Sequence, residues 1–324
     1  MSTPTRPRRH RRAVRQLLLG LVPVLVVGLV AVCVLAARLP GARAPLAAAT
    51  ASAPATVSAD GGPPDGRGLT VTFRDAEGRD RTGKLVLRRP ADVPSGAALT
   101  VRYDPDEDPA EDPADDHGPV VVHADGDAAS GSVADLVFGL VALLVVLAGV
   151  TALTAGRLLG RPRLRRRPAG SVRATHVVSR QGLVVRSWLE LATPAGLRWL
   201  PVHWAPELER LAPDSGITVH GNTGRDRLVL PVVGGTEVWP AGRLRDRAPR
   251  GDLRQVGVDP AAPDIGMARQ ARADGVLPFL APVLGLLWAY VGEGGTGSFL
   301  VATALAAAVL FWLPQLLGSD PRST

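Results

Sequence analysis

The chain has 324 residues, 46% of them hydrophobic, with 37 Lys and Arg against 30 Asp and Glu, a net charge of +7 and one cysteine. A lone cysteine excludes an intrachain disulfide framework. The apolar residues fall in long uncharged runs, so only small soluble modules fit between them. Lys84 is the single lysine, and the Arg bias with abundant Ala, Gly and Pro matches GC-rich bacterial coding rather than nucleic-acid binding.

Residues 1–16 form a basic tail with six Arg and no acid. The apolar run 17–37 follows, giving the layout of a signal sequence. Its length exceeds the roughly 7–15 residues of a cleaved signal core, which favours a retained first membrane span. Small residues at Ala42-Arg43-Ala44 and Ala47-Ala48-Ala49 leave a cleavage site open. Cys33 lies inside this run without a small residue directly before it, so it reads as a buried apolar side chain rather than a lipidation site.

Residues 39–132 carry 16 acids against nine Lys and Arg. Residues 38–68 have no apolar periodicity and predict a flexible stalk. A small β unit is expected over 69–103, with strands at 69–73, 84–88 and 98–103 that alternate apolar and polar residues. The third strand ends in Tyr103-Asp104-Pro105, just before a long apolar run. There the chain resembles multi-pass membrane proteins of unknown function, of actinobacterial type, whose small extracytoplasmic β domain closes on a Tyr-Asp-Pro motif. The resemblance spans roughly 69–155. It implies an extracytoplasmic β unit and no known catalytic residue.

From Tyr103 to Asp127 there are ten acids and no Lys or Arg. Asp104, Asp106, Asp108, Asp112 and Asp115 have spacings like those of a calcium loop. Pro109 stands where that loop needs glycine, and the last ligand is not Glu. An extended, self-repelling spacer is the better reading, and no cofactor is implied. His117 and His123 read as surface side chains.

Residues 133–155 predict the second span: about 23 residues at ~1.5 Å each reach ~34 Å, enough to cross a bilayer core. Asp135 is expected to cap its N-terminus. Arg157, Arg161, Arg163, Arg165, Arg166 and Arg167, within the juxtamembrane segment 156–170, are expected at the inner membrane surface, facing anionic lipid.

Residues 171–248 carry short strand patterns at 172–178, 183–193, 197–204, 217–220, 228–233 and 237–240. About six strands in so short a segment suggest a small barrel, SH3-like or OB-like. Trp188, Trp199, Trp204 and Trp239 either pack within it or line a groove for a partner or ligand. His176, His203 and His220 fall on strands, but their spacing gives little support to a metal site. Residues 249–273 read as a polar linker, 275–291 and 299–317 as the third and fourth spans, and 318–324 as a short tail.

The expected fold is therefore a membrane α-helical protein with four transmembrane helices and small all-β modules. Charge asymmetry places both termini and the 171–248 module in the cytoplasm and 38–132 outside the plasma membrane. None of the spans carries an ionisable residue in its middle, which argues against a transporter or channel. The soluble parts lack a nucleophile elbow, a Cys-x-x-Cys pair and a nucleotide fingerprint. The expectation is a non-catalytic scaffold or sensor-like adaptor. Its partners would be membrane lipids and a protein or a second copy of itself, with no nucleic acid. The alternatives are an envelope enzyme or its membrane subunit, and an accessory subunit of a transporter.

Overall fold

The computed structural model describes residues 11–58, 67–91, 93–107, 119–260, 265–292 and 295–322. The chain divides into two compact units, one of residues 30–145 and one of residues 1–29 with 146–324. Two long helices, α1 (Arg11–Ala48) and α2 (Ala128–Gly160), contribute to both.

The first unit is built on a five-stranded sheet. Its strands are β1 (Ala51–Val57), β2 (Gly68–Arg74), β3 (Asp80–Val86), β4 (Ala98–Tyr103) and β5 (Val120–Val122), in the order β4-β1-β2-β3-β5. All neighbours are antiparallel except β3 and β5. Alternate side chains, including Val71, Phe73, Leu85, Val101, Tyr103 and Val122, bury one face.

Three expectations are corrected here. The segment predicted as a stalk holds the last turns of α1 and then β1, a strand paired on both sides. Its buried positions, Ala53, Ala55 and Val57, are small, so the period-2 signal is weak. Pro54 is tolerated because β2 pairs only with Ala55, Thr56 and Val57, leaving the Pro54 nitrogen off that ladder. Likewise, α2 starts well before Asp135. The capping carboxylate is Asp127, which accepts the Ser130 backbone N–H at 2.7 Å and the His123 imidazole at 2.7 Å, so His123 is buried rather than on the surface. Asp135 instead pairs with Arg88 at 2.8 Å. The greater part of the acidic spacer, with Asp108, Asp112, Asp115 and His117, lies outside the described residues.

The turn after β2 is organised by one carboxylate. Asp75 accepts the Arg79 N–H at 2.8 Å, Arg79 Nε at 3.0 Å and Arg81 Nε at 2.7 Å. Burial would raise its pKa, but the Arg79 N–H and then the two guanidiniums outweigh that and hold it at about 2. The Ala76 N–H donates to the Tyr103 hydroxyl at 3.0 Å, and the Tyr103 ring packs 4.9 Å from Phe73.

The second unit carries a seven-stranded sheet: β6 (Ala169–Gln181), β7 (Val184–Thr193), β8 (Gly196–Val202), β9 (Ser215–His220), β10 (Leu230–Val233), β11 (Thr236–Glu237) and β12 (Asp252–Gln255). The order is β11-β10-β9-β6-β7-β8, with β12 added to β6. The thirteen-residue β6 supports β7 along one edge and β9, then β12, along the other. The sheet curls into a half-barrel, and the chain after β11 bridges to its edge strand β8. Trp199 and Arg245 exchange backbone hydrogen bonds at 2.8 and 2.9 Å, and the His203 N–H donates to Trp239 O at 2.9 Å. Leu189, Leu191, Leu200, Val219 and Val229 fill the interior. One turn of helix, α3 (Pro206–Glu209), follows β8.

The predicted linker is also corrected. It contains β12 and α4 (Met267–Asp274), whose Gln270 and Asp274 are buried. A 3-10 turn, Leu277–Leu280, leads into α5 (Ala281–Val291), and α6 (Thr296–Leu317) completes the chain's helices. Among the described residues, four helical stretches are long and apolar enough to cross a membrane: Arg11–Ala48, Ala128–Arg166, Met267–Val291 and Thr296–Leu317. α5 and α6 touch closely at Gly285, where a Cβ would meet Thr303 Oγ1 at 2.0 Å and its backbone nitrogen at 3.0 Å.

Two predictions follow from these contacts. Gly285→Leu forces α5 off α6 and should cost about 1–3 kcal/mol, read as a lower thermal midpoint in detergent. The lowered pKa of Asp75 contributes stability that is present above the unfolded value of 3.8 and is lost as pH falls through about 2. Hydrogen exchange at β2 and β3 should therefore accelerate across that window in the wild type and lose this acid dependence in Asp75→Asn.

Candidate functional site

The densest set of buried polar side chains lies in the second unit, where the chain end meets the curled sheet and the helices. Gly318 terminates α6 in the left-handed region (φ +75°), where a Cβ would meet Ala241 Cβ at 2.6 Å and Val202 O at 3.0 Å. Only glycine fits both conditions. The chain then runs beside β7: Ser319 bridges Arg186, and the Asp320 N–H donates to Val185 O at 2.9 Å. The predicted tail is thus a packed element, with Ser319 and Asp320 buried.

Ser319 gathers two helices. Its hydroxyl accepts Gln16 Nε2 of α1 at 3.1 Å and Gln270 Nε2 of α4 at 2.9 Å. Gln16 Oε1 accepts His203 Nδ1 at 3.3 Å, and Gln270 also donates to Asp274 at 3.0 Å. Asp320 gathers the sheet. Its carboxylate accepts the Ser187 hydroxyl at 2.8 Å, the Arg322 guanidinium at 2.9 Å and the Arg322 N–H at 3.0 Å. Arg322 reaches on to Glu209 at 2.5 Å, which accepts Trp204 Nε1 at 2.6 Å. Arg186 Nε donates to Leu317 O at 3.0 Å. Beside this network, Leu17, Val24, Val150, Trp312 and Leu316 of the helices form one apolar cluster with Leu230 and Trp239 of the sheet.

His176, Ser187 and Asp320 have the residue types of a hydrolase triad but not its order. Ser187 stands in the middle, 3.3 Å from His176 Nε2, and its hydroxyl donates a hydrogen bond to the Asp320 carboxylate. All three side chains are buried, so the serine is not presented to a substrate. Burial is the main reason the His176 pKa falls to about 4. The Arg322 charge pushes it the same way, against Asp320. For Asp320, burial favours the neutral acid, but Arg322 and Ser187 outweigh it and keep the group ionised. Burial raises the Glu209 pKa against the opposing pull of Trp204 and Arg322.

The tryptophans do not share a groove. Trp188, Trp204 and Trp239 are buried and Trp199 is half-buried. Trp188 lies under the Arg186 and Arg245 guanidiniums at 5.2 and 5.4 Å, and Trp204 under Arg12 at 4.3 Å. Three of the four therefore cannot offer a partner surface, because the fold itself covers them.

The arginine run divides in the same way. Arg157 donates to Leu316 O, Arg165 pairs with Glu237, Arg167 pairs with Asp226 at 3.1 Å, and Arg161 is buried. Arg163 and Arg166 alone of the six are exposed. The three strand histidines stay separate, with His176 on Ser187, His203 on Gln16 and His220 Nδ1 3.3 Å from Arg167 O. Among the described residues, no group of three or more His, Cys, Asp or Glu is arranged to hold a metal ion.

Sequence reasoning missed Gln16, Gln270, Ser319, Asp320 and Arg322, because polar residues at helix ends and chain ends normally face water. The available signal was the pair of amides, Gln16 and Gln315, at the ends of otherwise apolar spans. No family model matches the chain, and neither a curated protein nor a solved structure is similar to it.

Asp320→Ala should leave the Ser187 hydroxyl without its acceptor and Arg322 with Glu209 alone. Because Arg322 is partly exposed, the expected loss is about 2–3 kcal/mol, below the range for fully buried pairs. It is measured by denaturant unfolding in detergent. The buried, neutral His176 contributes stability that is present above its unfolded pKa of 6.5 and is lost as pH falls towards about 4. The slope of stability against pH in that window should flatten in His176→Gln.

Proposed function

We propose that this is a four-pass plasma-membrane protein that acts as a non-catalytic scaffold or sensor-like adaptor. Both termini and the curled sheet would lie in the cytoplasm, and the acidic unit outside. The charge asymmetry supports this orientation. So do the exposed apolar side chains of the long helices, among them Phe138, Val145, Leu153, Val283 and Leu286, which in water would form a large uncovered patch. The curled, antiparallel sheet supports reading this module as a small barrel of SH3-like or OB-like kind, although its seven strands exceed the five of an OB-fold.

The observation that carries the scaffold reading is the buried lock between sheet, helices and chain end. Its ionisable and nucleophilic groups are already committed to one another. The sheet is thereby fastened to the helices through Gln16, Gln270, Ser319 and Asp320, as suits a module that presents a surface at a fixed height above a bilayer. Arg163 and Arg166 are the two of the run left to meet anionic headgroups.

Two measurements test the proposal. A phosphatase reporter fused after Asp116 should be active and one fused after Asp246 inactive; the reverse pattern overturns the orientation. Purification from native membranes in mild detergent should retain a stoichiometric protein partner or a second copy. A solitary monomer with hydrolytic turnover would overturn the adaptor role.

A further inference from the structure

The curled sheet carries a concave, arginine-lined cleft of about 480 Å³ beside the bridge between Trp199 of β8 and Arg245. Arg198, Arg225, Arg227, Arg243 and Arg245 line it. The backbone beneath them is fixed: the Leu244 N–H donates to Arg227 O at 2.8 Å, and Arg245 is bonded to Trp199 on both sides.

Two carboxylates also line the cleft, and both are committed. Asp246 pairs with Arg198. Asp226 pairs with Arg167 and accepts the Asn222 N–H at 2.8 Å. Arg245 lies over the Trp188 ring. Arg225, Arg227 and Arg243 have no carboxylate partner among the described residues, and all three are exposed. Several guanidiniums held around one concavity repel each other, and an anion entering it relieves that repulsion. Their planar forks match phosphate oxygens in pairs.

We infer that this cleft binds a phosphorylated anion carrying more than one negative charge. Its volume exceeds the needs of a single phosphate and lies in the range of ligand pockets. Leu244 is its one apolar lining residue, so the ligand is compact and polar, of the pyrophosphate or phosphate-ester kind, rather than one with a large apolar or aromatic body. The same chemistry is offered by a soluble phosphate compound and by a lipid headgroup. The inference goes beyond the scaffold reading and does not depend on it.

The test uses the full-length chain in nanodiscs of phosphatidylcholine, titrated with inorganic pyrophosphate. Wild type should bind saturably, at one site per chain. Arg225→Gln/Arg227→Gln/Arg243→Gln should weaken binding on the order of a hundredfold, from the loss of several charge-assisted hydrogen bonds. Arg243→Gln alone should give a smaller loss, and serves if the triple variant does not fold. The charge-matched control Arg180→Gln/Arg210→Gln/Arg254→Gln, at exposed positions away from the cleft, should bind like wild type. Repeating the titration in discs of phosphatidylcholine and phosphatidylglycerol in equal parts identifies the source. Lost pyrophosphate binding there assigns the site to a headgroup, and retained binding to a soluble ligand. Absence of saturable binding by wild type, or equal losses in the cleft variant and the control, overturns the inference.

Discussion

A carboxylate buried beside a sheet must be surrounded by donors, and much of the second unit is arranged to do that for Asp320. Its oxygens take hydrogen bonds from Ser187, from the Arg322 guanidinium and from the Arg322 N–H. Left without them, an ionised group in that position would cost several kcal/mol. The arrangement fixes the chain end, and the chain end fixes the rest. Gly318 must be glycine so that Ser319 can lie against β7, and Ser319 is the atom-level meeting point of α1 and α4. The helices α1, α4 and α6 and the curled sheet therefore share one packed interior, part polar and part apolar.

The same economy explains the aromatic and basic residues. A small sheet with few large side chains covers its outer surface by laying guanidiniums over indoles, as Arg186 and Arg245 do on Trp188 and Arg12 does on Trp204. Arginines at 157, 165 and 167 tie the end of α2 to α6, to Glu237 and to Asp226. Part of the run is thus used for packing. Arg225, Arg227 and Arg243 at the cleft differ, because the carboxylates beside them are taken by Arg198 and Arg167.

Much of the strand pattern was legible in advance. The alternation at 69–73, 98–103 and 183–193 marks β2, β4 and β7, because one face of each is buried by large side chains. Missed elements lack that contrast. In β1 the buried positions are Ala53, Ala55 and Val57; β12 is exposed throughout, and its pairing with β6 leaves no apolar trace. The site was less legible still. Gln16 and Asp320 are 304 residues apart in the chain, and nothing local distinguishes them from solvent-facing residues at the end of a long apolar helix.

Sequence by itself determined the four long apolar helices, the opposite charge of the segments between them and the presence of two small β modules. Each of these is a local property of composition or period. Tertiary structure alone decided which polar residues are inside, because burial of Ser187, Gln270 and Asp320 becomes tolerable only when partners distant in the chain satisfy them. It also decided which arginines are committed and which are left around an open cleft, since that depends on where the carboxylates come to rest.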